Sequence, residues 1–145
     1  MDLPEYITVE EVKRVCRELK ISDWTELEES RVSSDEARTI LKEVNVEGMN
    51  IELDEFRQGL EVELEHGIRF KDANVTNNHP ILTGKIVLAH LKESLYYYKL
   101  LEVAELEGDL IKAIQNDQCP EVKSLYMRLA NARMMLSQAE IHRLR

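Results

Sequence analysis

From Pro80 to Asn116 the chain passes through 37 residues without a second proline, and only Gly84 and Gly108 weaken a helix there. Each glycine costs about 1 kcal/mol against alanine, which a long helix tolerates. The spacing therefore predicts one helix of roughly 35 residues, opened by Pro80 at its first position. After the turn "NDQCP", Val122, Leu125, Leu129, Ala132, Leu136 and Ala139 recur three and four apart on a second helix over 121–144. Such a narrow seam packs as an antiparallel hairpin against Val103, Leu106, Leu110, Ala113 and Ile114 of the long helix. Five glycines and three prolines in 145 residues are too few turn formers for an all-β fold, and 43% hydrophobic content is too high for disorder.

Upstream, Thr8 followed by Glu11 reads as a capping box before Val9, Val12, Cys16 and Leu19. Ser34 caps a second helix with Ala37, Ile40, Leu41 and Val44 turned inward. "NVEGMN" ends it, and a third helix runs from Leu53 to His66 with Gly67 as its left-handed stop. "NVEGMNIELDEF" has the cadence of a calcium-binding loop. Val44 and Val46 fall on its first ligand positions and Met49 on its glycine, so calcium lacks the oxygen ligands it requires. The expected fold is all-α: one domain over 1–145, in which a helix-loop-helix region (1–50) packs on the motif-bearing helices and long hairpin of 51–145.

A net charge of −9 with scattered basic residues disfavours nucleic acid. No apolar run reaches the length of a membrane span, and the acidic start lacks the layout of a secretion signal, so a cytoplasmic protein is expected. Cys16 falls on an apolar face and Cys119 in a loop; no disulfide is implied. The acceptor-like "NVT" at 74–76 has no meaning without secretion.

Facing directions on the helices single out four ionisable groups. On the third helix Phe56, Leu60 and Leu64 mark the buried stripe; Glu63 lies about 20° from Phe56, and His66 beside Gly59 at the edge. Glu61 and Glu65 point to solvent. On the long helix Lys85, Lys92 and Lys99 mark the wet face, with His90 opposite and Glu93 and Tyr97 near it. Glu63–x–x–His66 and His90–x–x–Glu93 then face each other if the helices run antiparallel. Imidazole and carboxylate together suit zinc, iron or manganese, and paired Glu/His elements between helices are the layout of ferritin-like sites. Tyr97 would stand behind the ligands, donating to a carboxylate. The alternative is a buried network in which these groups satisfy one another and hold helix register. His79 before Pro80 reads as a cap, and His142 as a surface residue. No nucleophile constellation and no nucleotide-binding loop are present, so an activity stays open.

"FRQGLEVELEHG", "ANVTNNHPILTGKIVLAHLKE" and the tyrosines after them resemble a family of small, uncharacterised bacterial and phage proteins, known as a domain of unknown function. Its pattern reads F-x-x-G-[LM]-x-VELEHG, NVT, GKI-x-LAHL-x-E and PDYY. The resemblance covers 56–101 and implies helices without an activity. Glu63, His66, His90 and Glu93 coincide with its motif positions. This chain departs from it at "SLYYY", where no proline would kink the long helix, and at "NNHP".

The leading function is that of a soluble metal-binding helical protein of ferritin-like or hemerythrin-like type, with Glu63, His66, His90 and Glu93 holding a divalent transition metal (iron, zinc or manganese). The alternative is a non-catalytic interaction or assembly module, whose hairpin forms a homodimer or meets another protein.

Overall fold

The Thr8 hydroxyl accepts the Glu11 amide at 3.2 Å and opens the first helix of a computed structural model that describes residues 6–144. This helix, α1 (Val9–Leu19), closes at Lys20, whose left-handed conformation sends its N–H to the Arg17 carbonyl. The Glu11 carboxylate grips Arg14 at 2.6 and 2.8 Å, an i, i+3 pair. A single 3-10 turn at Trp24–Glu26 follows, capped by Asp23, and puts Trp24 wholly inside.

The second helix, α2 (Ser34–Val44), is capped one residue earlier than the sequence suggests. Ser33 accepts the Glu36 amide, and the Glu36 carboxylate reaches back to the Ser33 N–H and hydroxyl. Its other oxygen takes the Ser22 N–H and hydroxyl. Burial pushes the Glu36 pKa up, but the bonds from Ser22 and Ser33 outweigh it and hold the group below its ordinary value. One side chain thereby caps α2 and ties down the segment that follows α1. The loop after α2 closes on itself, with Asn45 donating to and accepting from the Met49 backbone at 2.9 Å.

Helix α3 spans Leu53–Arg69, two residues past the expected stop at Gly67. Helix α4 (Pro80–Glu93) begins at Pro80 as predicted, and the His79 ring accepts the Ile81 and Leu82 amides through Nδ1 at 3.2 and 3.4 Å. The expected 35-residue helix is in fact two. Ser94 is extended (φ −154°, ψ 127°) while its N–H still bonds the His90 carbonyl, and α5 (Tyr97–Gln115) starts afresh. Neither glycine nor proline breaks the helix there. Serine competes for backbone partners and consecutive aromatics lose side-chain freedom, so "SLYYY" is a weak helical stretch that tertiary burial can override. Tyr98 is 1% exposed. The last helix, α6, covers Cys119–Arg143. The described residues contain no strand.

The chain divides into two compact units, residues 1–95 and 96–145. In the first, α2 packs on α3 and α4, α3 on α4, and α1 on α4. Its core joins Val12, Cys16, Trp24, Ile40, Phe56, Leu60, Leu64, Val87 and Leu91. Gly84 lets α4 approach α2 closely: a Cβ there would lie 2.6 Å from Ile40 Cγ2 and 3.2 Å from Val44 Cγ1. The second unit is the antiparallel hairpin of α5 and α6. Leu106, Leu129 and Ala132 are buried in it with Val103, Leu110 and Leu125 packed around them. Ile114, expected in this seam, is 57% exposed. It stands about 60° off the seam direction, one 100° step past Ala113, which is buried and holds the seam position at that turn.

His79 makes stability depend on pH. It is 8% exposed, and burial lowers its pKa from the ordinary 6.5 although Glu11 pulls the other way. Only unprotonated Nδ1 can accept the two amides, so the neutral ring is the capping form. A pKa lower in the folded than in the unfolded chain means that the stability is complete above about 6.5 and lost as pH falls through the folded value. Urea midpoints should therefore fall between pH 7.5 and pH 5. His79→Asn, which caps without titrating, should flatten that slope; an unchanged slope would refute the assignment.

Candidate functional site

The buried stripe of α3 is centred on Leu60, and the distance from that centre decides each side chain's fate. Phe56, Leu60 and Leu64 are at most 1% exposed. Glu63 lies about 60° from the centre and is half-buried; His66 lies about 120° from it and is exposed. On α4, Val87 and Leu91 occupy the core, His90 is half-buried, and Glu93 is the exposed last residue.

The structure brings Glu63 and His90 together across α3 and α4, with Oε1 and Nε2 3.6 Å apart. His66 shares with Glu63 a groove of about 230 Å³ that is also lined by Phe70, Asn74 and Ile86. Glu93 is exposed at the end of α4. Tyr97 belongs to the hairpin unit, where its ring meets Tyr98 edge-on at 5.2 Å. Among the described residues, no three or more His, Cys, Asp or Glu side chains gather closely enough to hold a metal ion.

Two groups around this pair have roles that facing directions alone did not reveal. Glu61 is no solvent charge: its Oε1 accepts the Val32 amide at 3.1 Å and the Arg57 guanidinium at 2.8 Å, pinning the loop before α2 to α3. Glu65 does stand in solvent, beside Arg69. The second is the "NVTNN" loop. Asn74 donates to the Gly67 carbonyl at 3.1 Å and to Asn78 Oδ1 at 2.9 Å, while Asn77 donates to the Ile7 carbonyl at 2.6 Å.

Gly67 belongs to this loop contact rather than to a helix end. A Cβ on it would collide with Asn78 Oδ1 and come within 3.0 Å of Asn74 Nδ2. The signal for the loop was legible. Asn77 and Asn78 are both left-handed, and asparagine is the residue that tolerates that conformation outside glycine. The glycine and asparagines of "VELEHG" and "NVTNNHP" thus clamp α3 to the entrance of α4, and the Glu63–His90 pair sits between the same two helices.

No helix is long and apolar enough to cross a membrane among the described residues. No curated protein and no solved structure matches the chain. One family model does, over residues 12–107, which takes in most of α1, all of α2 to α4 and the first half of α5, well beyond the motif region itself. The chain belongs to the family described as protein of unknown function (DUF5661).

Proposed function

We propose that this is a cytoplasmic, non-catalytic interaction module, with the α1–α4 unit as scaffold and the hairpin as binding surface. One observation carries the reading: large apolar side chains of the hairpin stand in solvent. Ile114 is 57%, Tyr126 60% and Met127 63% exposed, with Ile111, Met134 and Ile141 also above half. Scattered apolar residues are ordinary on a surface, but a concentration of this kind marks a place where another molecule binds. In this reading Glu63 and His90 are a polar contact that fixes the register of α3 on α4. A photo-crosslinking residue at position 126, in the living source cell, should form a discrete adduct that the same residue at Asp109 does not. Equal or absent adducts at both positions would sink the reading.

A metal-binding function is the second reading, and the 3.6 Å spacing of Glu63 and His90 favours it. Two atoms each 2.0–2.2 Å from a tetrahedral ion stand about 3.4 Å from one another. His66 lines the groove beside Glu63, and iron, zinc or manganese would suit the donors. Protein purified without an affinity tag should then carry stoichiometric metal that His90→Ala removes. Substoichiometric metal, unchanged by His90→Ala, would rule this reading out.

A further inference from the structure

We infer that the partner of the hairpin is a second copy of this chain, and that the two hairpins close into an antiparallel four-helix bundle. The inference rests on the reading of the hairpin as an interaction surface and names what covers it.

A two-helix hairpin has one seam, yet each of these helices carries a second apolar row. On α5 it is Leu100, Ala104, Glu107, Ile111 and Ile114, spaced four and three apart. On α6 the row is Met127, Ala130, Met134, Ser137 and Ile141, spaced three and four, with Tyr126 along its edge. Rows with this spacing are the packing faces of bundle helices.

The ion pair between Glu107 and Arg133, 2.6 Å long, shows which sides of the two helices lie together. Glu107 is a member of the α5 row. Arg133 projects from the flank of α6 that also carries Tyr126 and Ser137, as 100° steps along the helix require. The α5 row and the Tyr126, Arg133 and Ser137 flank of α6 therefore border one broad face, crossed by the ion pair, while Met127 and Met134 project from the far side of α6. Glu102, Asp109 and Arg128 project toward the other side, together with Met135.

Charge chooses the occupant. Helix α5 carries four carboxylates against two lysines, α6 carries Lys123, Arg128, Arg133 and Arg143 against two glutamates, and of these Glu107 and Arg133 pair on the shared face. A two-fold axis parallel to the hairpin lays α5 of one copy over α6 of the other, acidic helix on basic helix, antiparallel at every contact. It also brings Glu107 to the height of Arg133 of the second copy, so an acid and a base on this face meet across the axis twice. Such self-complementarity is what an isologous interface requires.

Light scattering on the full purified chain at about 100 µM should give twice the chain mass. Ile111→Glu should raise the dissociation constant by about 100-fold or more, with helix content unchanged by circular dichroism because the side chain is already 56% exposed. Met135→Glu, on the opposite side, should leave the dimer intact. Glu107→Arg or Arg133→Glu alone should weaken it, and the double exchange should restore it.

A wild-type chain that stays monomeric overturns the inference, as does a dimer that survives Ile111→Glu or is lost with Met135→Glu. A monomeric chain whose crosslinker at position 126 captures a different protein overturns the second copy while leaving the interaction module standing. A monomer with no adduct overturns both.

Discussion

Truncating Phe56 to alanine is expected to cost the amino-terminal unit about 3–5 kcal/mol, the range for deleting an aromatic ring from a core that cannot collapse into the space. The ring is 0% exposed, and its tip lies 3.5 Å from the point where a Cβ on Gly84 would be. It therefore fills the junction at which α3 meets α4, with Ile40 and Val44 of α2 crowding the same point beside Gly84. Three helices lose packing together, and none can move in without breaking its contact with another. For a unit of this size the loss corresponds to a fall in Tm of roughly 15 °C or more. A thermal melt followed at α1–α4 amides checks it, with Val46→Ala, at an 89% exposed position, as the silent control. A fall of only one or two degrees would contradict the placement of Phe56.

Gly84→Ala is the second large effect, and here two terms of opposite sign compete. Helix propensity alone makes alanine better than glycine by about 1 kcal/mol. The added methyl would stand 2.6 Å from Ile40 Cγ2 and 3.2 Å from Val44 Cγ1. Ile40 is completely buried and Val44 nearly so, and neither can swing away. Overpacking of this kind costs roughly 1–3 kcal/mol and more where the backbone must shift. With a contact this short the clash outweighs the propensity, so the variant should be less stable than the parent. Gly108→Ala provides the opposite case, since a Cβ there meets nothing within 4 Å. Propensity acts alone at that position, and stability should rise by about 1 kcal/mol. Paired urea titrations read both signs; a stabilised Gly84→Ala would show that α2 and α4 are not in such close contact.

The all-α class and the antiparallel hairpin were legible because both follow from periodicity. Leu106, Leu129 and Ala132 are buried where a three-and-four spacing puts them. Pro80 likewise starts its helix, with His79 as the cap. The break at Ser94 was not legible: it rests on tertiary burial around a weakly helical stretch, and no residue there forbids helix. It falls where the resembling family pattern reads PDYY, so the turn forms here without the proline.

At the candidate site, the meeting of Glu63 with His90 was legible from facing directions on α3 and α4. The exposure of His66 was not, because angles were measured from Phe56, the edge of the stripe nearer to His66, rather than from its centre at Leu60. The inward use of Glu61 escaped for a different reason. Its partner is the Val32 amide, 29 residues away in the chain, and helical phase on α3 says nothing about a loop that folds over it. Gly67 and Gly84 were read through their own helix alone, whereas each is set by a neighbouring segment that comes too close for a side chain.

The two thiols have a consequence of their own. Cys119 is exposed at the start of α6, while Cys16 is 2% exposed and burial raises its pKa. A thiol reagent attacks the thiolate, so it modifies Cys119 at once and must wait for the first unit to open before it reaches Cys16. The chain thus carries an internal clock: the lag between the two modifications times the opening of α1 from its neighbours, without any label being added.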